Sequence, residues 1–264
     1  MPKFAANLSM LFTEVDFLER FGAARSAGFE AVEFLFPYAY PAEQIAERLR
    51  RHGLTLALHN MPPGDWARGE RGMACDPLRV DEFRAGVRLA LDYAAVLGAA
   101  RLHCMAGIAP PHATPQQARA CFVDNLRYAA DACLAQGVSV LIEPINHYDI
   151  PGYFLTRSAQ AVAIIADCAR ANIGLQYDVY HMQRMEGELS NTIRAHLALI
   201  GHIQVADTPG RHEPGSGEIN YRYLFALLDE LGYAGWVGCE YLPRAGTLAG
   251  LGWRAALAPP QAAM

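Results

Sequence analysis

The chain has 264 residues, of which 52% are hydrophobic and 19% charged, and its net charge is −5. That length suits one (β/α)8 barrel with a large buried core, and the apolar content argues against disorder. A negative balance without a basic run argues against a nucleic-acid partner, and no apolar stretch reaches the roughly 18 residues of a membrane span.

Strand-like and helix-like segments alternate along the chain. Residues 4–9 read as a first strand rather than a cleaved signal peptide, because a single Lys precedes a short apolar stretch and acids follow soon after. An amphipathic helix pattern over 15–27 stops at Gly28, which suits a helix C-cap. A second strand over 31–36 is followed by a helix opened by Pro41 and running to about 51. The third strand, 54–59, leads into a Gly/Pro-containing loop, NMPPGDWARGERGMACDP, and a helix over 80–97 stopped by Gly98. Residues 101–105 give strand four, and 114–135 a helix with Pro115 in its first turn.

The fifth strand, 138–143, runs through apolar residues into Glu143, and Pro144 then ends it because proline donates no ladder hydrogen bond. A helix over 158–169, strand six over 173–178, the connection HMQRMEGELS and a helix ending near 199 follow. Strand seven, 200–206, leads to the loop DTPGRHEPGSGEIN, a helix over 221–231 and a last strand, 236–240. The Gly-rich piece after Pro243 and the end APPQAAM read as a tail that frays beyond about residue 250. Eight such units with no GxGxxG or GxxxxGK[ST] predict a single closed α/β barrel, with no composition break to mark a second domain. The six scattered cysteines form no CxxC pair and read as reduced core residues of a cytoplasmic protein.

The ends of the last four strands carry the chemistry. Glu143, Asp178, Gln204 and Glu240 are separated by 35, 26 and 36 residues, about one βα unit each, and Asp207 lies just beyond Gln204. Ligands bind at the carboxyl-terminal ends of such strands, where these side chains converge. Carboxylates brought together raise one another's pKa unless a cation neutralises them, and oxygen ligands favour a hard ion, Mg2+ or Mn2+, over zinc. The competing reading is a set of solvated strand-end acids. His202 shares a strand face with Gln204 and reads as a ligand or as a satisfied core histidine, while His59 and His181 face the mouth as substrate-binding candidates. Arg68, Arg71, Arg211 and His212 lie in the long loops, and an anionic substrate needs one or two of these arginines, since guanidinium grips a carboxylate bidentately.

The segments FAANLSMLF, VEFLFPY, LHNMPPGDWARGERG, LIEPINHYDIPG, QYDVYHMQRMEGEL, HEPGSGEINY and WVGCEY together resemble the hydroxypyruvate isomerase family, over residues 4 to about 243. The resemblance implies a xylose-isomerase-like TIM barrel interconverting hydroxypyruvate and tartronate semialdehyde, with Glu143 and Glu240 as its catalytic glutamates. In related sugar epimerases Glu, Asp, His and Glu hold the metal, which implies Glu143, Asp178, Gln204 and Glu240 here. Gln204 stands where the epimerases carry His, a weaker ligand. Isomerising an α-hydroxy ketone needs a carboxylate base, an acid and positive charge beside two oxygens. In that scheme Glu143 and Glu240 move the proton, His181 assists at an oxygen, and Arg211 or Arg71 holds the substrate carboxylate.

Three other readings stay open. One is an isomerase of the four-carbon acid 2-dehydrotetronate on the same scaffold. Another is a barrel related to endonuclease IV, which would need more histidine ligands and a basic face. The last is a non-catalytic barrel that binds a small acid. Barrels of this kind often pair, so a homo-oligomer is also open.

Overall fold

A computed structural model describes residues 1–257 of the chain. Eight parallel strands close into a barrel in sequence order: β1 (Lys3–Asn7), β2 (Ala31–Phe34), β3 (Thr55–Asn60), β4 (Arg101–His103), β5 (Ser139–Ile142), β6 (Ile173–Asp178), β7 (Ile200–Val205) and β8 (Trp236–Cys239). The register of β1 on β8, from Lys3 opposite Trp236 to Ala6 opposite Cys239, completes the closure. The connecting helices are α1 (Phe17–Ser26), α2 (Ala42–His52), α3 (Val80–Leu97), α4 (Pro115–Leu134), α5 (Ser158–Cys168), α6 (Val179–Met185), α7 (Leu189–His196) and α8 (Tyr221–Glu230), and two short helices end the described chain, α9 (Thr247–Gly250) and α10 (Trp253–Ala256).

Local sequence explains these elements. In α2, Ile45, Ala46 and Leu49 fall at helical spacing and are buried, and the helix ends where Gly53 takes a left-handed conformation at φ 60°. At the start of α4 the Thr114 hydroxyl accepts from the Gln117 amide while the Gln117 side chain accepts from the Thr114 amide, with Pro115 already fixed in helical φ. The main core lies between barrel and helices. Inside the barrel Ala5, Ala31 and Ala57 pack with Trp236. Towards the carboxyl-terminal mouth the filling turns polar.

The eight expected units are all present, most strands ending one or two residues earlier than the sequence pattern alone predicts. The stretch HMQRMEGELS is not a plain connection: α6 starts at Val179 and runs to Met185, and the chain breaks only around Gly187, at φ 65°. The tail expected to fray beyond 250 is folded as far as Leu257. Its anchor is Trp253, whose ring meets Phe4 edge-on at 5.0 Å and whose indole nitrogen donates to the Tyr241 hydroxyl at 3.1 Å. Residues 258–264, APPQAAM, lie outside the described residues. The six cysteines are free thiols, and all except the half-buried Cys121 are buried. No helix among the described residues is long and apolar enough to cross a membrane.

Candidate active site

A cavity of about 220 Å3 opens at the carboxyl-terminal mouth of the barrel, lined on its polar side by Glu143, Glu240, His181, Arg211, Arg71 and His103. Each reaches it from a strand end or the loop beyond. Glu143 is the first residue after β5, Asp178 closes β6, and Glu240 follows β8 directly. Asp178 is also the N-cap of α6: its Oδ1 accepts from the Tyr180 and His181 amides at 2.7 and 3.2 Å. Capping occupies one oxygen and leaves Oδ2, buried and without a hydrogen-bond partner, facing the site. Glu143 Oε1 is unpartnered in the same way. His181 Nε2 sits 3.7 Å from each of these two oxygens, too far for a hydrogen bond.

Burial governs the charges. It pushes Glu143 well above the usual carboxylate range, with Glu240 and Asp178 adding to the rise and Arg211 opposing it. Asp178 is pushed up to about 6 by burial, against the pull of Arg211 and the two capping amides. Glu240 is pushed up to about 8 for the same leading reason, with Arg211 again opposing. His181 is held well below its ordinary value by burial and then by the nearby guanidinium of Arg211, and is therefore neutral. Carboxyls that resist ionisation although a guanidinium lies against them mark a site short of positive charge.

That guanidinium belongs to Arg211, expected to bind substrate from a loop. Arg211 Nη2 lies 2.6 Å from Glu240 and 4.0 Å from Asp178, and Nη1 is 3.5 Å from Asp149. Its backbone is left-handed at φ 56°. The loop that carries it is organised by Asp207, whose carboxylate accepts from the amides of Thr208, Gly215, Gly217 and Ile219. Arg211 is thus engaged with protein carboxylates. Arg71 is not: its guanidinium lies 3.8 Å above the Trp66 ring, and Nη1 donates to the carbonyls of Trp66 and Glu70 at 3.1 and 2.7 Å. Nε and Nη2 of Arg71 have no protein partner among the described residues. Arg68 lies outside this cavity, and His212 Nδ1 donates to the Leu242 carbonyl at 2.7 Å rather than facing the site.

Two expectations for the barrel side chains need correction. Gln204, expected as a fourth metal ligand, has its carbonyl oxygen occupied by the Gln176 amide at 2.6 Å, while its own amide donates to Glu33 at 2.8 Å and to Glu240. His59, expected at the mouth, stacks on Phe34 and meets Tyr38 edge-on, and Asn60 lines the cavity in its place. The cause is a register shift in the β2–β3 ladder between Val32 and Phe34, after which His59 pairs with Leu102 and Asn60 with His103. Burial lowers the His59 pKa to about 4. His202, left open as ligand or core histidine, is bonded to Glu33 at 2.6 Å beneath the site.

Several residues at the site carry no motif the sequence reading used. Glu33 accepts from Asn7 and Gln204, and Asn7 in turn donates to Glu240 at 3.0 Å, so Glu33 and His202 support the floor beneath Glu240. Glu33 is a lone acid within AVEF, one residue before the end of β2, and that position is its available signal. Gln176 ties Glu143 to Gln204. Chemically, the site can move protons between carboxyl groups in a water-poor pocket, donate hydrogen bonds to a small anion and hold a cation. Glu143, Asp178 and His181 bring ligand atoms within 4.8 Å of one another, a buried group that could hold a metal ion. The two orphaned oxygens and the shortage of positive charge fit a divalent cation.

Comparison with known proteins agrees on the fold. The xylose isomerase-like TIM barrel family pattern matches residues 21–257. A Cupriavidus necator protein described as 2-oxo-tetronate isomerase is 54% identical, the alignment covering 96% of this chain and 97% of that one. An Escherichia coli protein described as hydroxypyruvate isomerase is 52% identical over 96% of this chain and 98% of its own. A Brucella melitensis crystal structure described as AP endonuclease, family 2, superposes with a TM-score of 0.95 at 49% identity, covering 97% of this chain and 99% of the other.

Proposed function

Since the chain belongs to the xylose isomerase-like TIM barrel family, we propose that it is an isomerase interconverting hydroxypyruvate and 2-hydroxy-3-oxopropanoate (tartronate semialdehyde) through an enediolate. The observation that carries this reading is the pair of buried glutamates, Glu143 and Glu240, lining one small cavity together with Arg71 and His181. One carboxylate takes a proton from the CH2OH carbon of hydroxypyruvate. The other carboxyl returns one to the former carbonyl carbon, and a proton passes from the hydroxyl to the neighbouring oxygen. Carboxyl groups whose proton affinity is raised by burial suit both halves of that transfer. His181 donates to an enediolate oxygen. Arg71, with two free donors on its fork, holds the substrate carboxylate, a role its geometry supports better than that of Arg211.

A divalent ion, Mg2+ or Mn2+, would be held by Glu143 and Asp178, each of which has one buried oxygen without a partner, beside Glu240, whose own oxygens are bonded to Arg211, Asn7 and Gln204. Bound there it would supply positive charge to the enediolate oxygens. Gln204, with its oxygen already occupied, acts instead as a strut for Glu240. The cavity lies below the roughly 300–1,000 Å3 of drug-sized pockets, which suits an acid of a few carbons. The Cupriavidus relative supports a second reading, the four-carbon acid 2-oxo-tetronate. An endonuclease would require a larger metal cluster, and among the described residues one group of three potential ligands is found.

The deciding experiment is turnover of hydroxypyruvate and of 2-oxo-tetronate by chelator-treated protein, with and without added Mg2+ or Mn2+. A higher kcat/KM for hydroxypyruvate supports the proposal, and a clear preference for the four-carbon acid moves the assignment to it. Absence of turnover on both acids under every condition would remove the isomerase reading.

A further inference from the structure

The loop after β5 contains a hydrogen-bond chain that leads to the catalytic pocket. The Asp149 backbone amide donates to Asn146 Oδ1 at 2.8 Å. A backbone amide can only donate, so Oδ1 must accept, and the orientation of the Asn146 side chain follows. Its Nδ2 then faces His181 Nδ1 at 2.6 Å, and the Asn146 backbone amide approaches the same nitrogen at 3.4 Å. Two N–H groups converge on Nδ1, which must present its lone pair. A neutral imidazole with a bare Nδ1 carries its proton on Nε2. Both residues are buried, Asn146 completely, so water cannot readily substitute for either partner.

We propose that Asn146 is a positioning residue that locks His181 as the Nε2–H tautomer, aiming a neutral N–H donor into the pocket at the oxygen of the bound acid. The inference rests on the isomerase reading above and deepens it by assigning what His181 does. Nε2 lies between the two unpartnered oxygens of Glu143 and Asp178, at 3.7 Å from each, so its proton is aimed at the space between them and bonded to neither. A substrate oxygen entering that space meets a donor that needs no reorganisation. Neutral imidazole is a weaker acid than imidazolium, and in enediolate chemistry it can polarise a carbonyl without surrendering its proton. The tautomer also bears on metal binding, since a nitrogen bearing a proton has no lone pair for an ion. Of the buried triad, the two carboxylates therefore remain as the metal-facing groups.

The test uses intact protein labelled with 15N-histidine and read by long-range 1H–15N correlation, which reports the proton position on each ring. His181 is assigned as the signal lost in His181→Asn. In wild type without substrate the expected signature is a bare Nδ1 and a protonated Nε2. Asn146→Asp keeps the size of the side chain but presents acceptor oxygens, so the ring should turn to an Nδ1–H form, neutral or doubly protonated. That variant should lose about 100-fold in kcat with KM changed by less than about threefold, because the lost donor acts mainly in the transition state. Asn146→Ala, which retains the backbone amide, should lose less. Circular dichroism and Tm show whether either variant folds.

An Nδ1–H signature in the wild type overturns the lock, as does a folded Asn146→Asp with moved signature and undiminished kcat. The isomerase reading fails separately, by lack of turnover in the wild type. The wild-type tautomer, read without substrate, decides the lock in either case.

Discussion

Replacing Arg71 by alanine separates the two arginines of the pocket. In the folded protein the Arg71 guanidinium is stacked 3.8 Å over Trp66 and fixed by two backbone carbonyls at 3.1 and 2.7 Å, leaving Nε and Nη2 for a ligand. Each charge-assisted hydrogen bond to a carboxylate is worth about 1.5–3 kcal/mol. Two of them, reduced for the partial exposure of the side chain, amount to about 3 kcal/mol, or about a hundredfold in kcat/KM at about 1.4 kcal/mol per tenfold. Arg71→Lys keeps the charge but loses the fork and the stacking geometry, and should fall about tenfold. The assay is steady-state isomerisation of hydroxypyruvate, beside dihydroxyacetone as a substrate lacking the carboxylate. Arg71→Ala should leave the slower dihydroxyacetone rate unchanged. If the variant keeps wild-type kcat/KM for hydroxypyruvate, or loses equally on both compounds, Arg71 does not hold the carboxylate.

Further expectations follow from the same geometry. Glu240→Gln should lower kcat by about a thousandfold, within the range of a lost general acid–base, while circular dichroism stays that of the wild type; near wild-type turnover would remove Glu240 from the chemistry. In metal-free protein the proton held by Glu240 up to about pH 8, against an ordinary value of 4.5, means that the folded state binds more protons than the unfolded state across that window. Its contribution to stability therefore falls as pH rises from about 4.5 to about 8. Below about pH 6.5 the buried neutral histidines His59, His103 and His181 oppose it. Tm measured in chelator should therefore fall between about pH 6.5 and 8, with added Mg2+ or Mn2+ restoring Tm most at the alkaline end. A Tm that rises with pH there and ignores the metal would contradict the charge deficit. Trp253→Ala should cost about 3–5 kcal/mol, or about 10 °C in Tm by calorimetry, because the indole packs on Phe4 and Phe225; a shift of a degree or two would mean the segment after β8 only rests on the barrel.

How much of this was legible in the sequence depends on how local each determinant is. The apolar runs and the acids that follow them, as in VSVLIE before Pro144, announce both barrel and mouth, and Glu143, Asp178 and Glu240 all reach the same buried site. His59 misleads because strand parity assumes unbroken alternation, and the irregularity in the β2–β3 ladder is a property of two paired strands that neither displays alone. Gln204 looks like a ligand at its strand position, but its partners Gln176, Glu33 and Glu240 come from three other parts of the chain. Arg211 is one of several loop arginines until Asp207 gathers the loop amides and brings it to Glu240. Asn146 sits in plain view within LIEPIN, yet its effect is exerted on a histidine 35 residues away.

Gly238 on β8 faces Glu33 so closely that any added Cβ would collide with the Glu33 carboxylate. The absence of a side chain at 238 is what gives that carboxylate room to hold Asn7, Gln204 and His202 at once. The two positions therefore constrain one another sterically. A lineage that acquired alanine at 238 would have to shorten or turn away residue 33, releasing the groups that support Glu240. Among homologous chains, glycine at 238 should travel with glutamate at 33, and a pair that departs from this should mark a barrel whose floor, and whose chemistry, has been rebuilt.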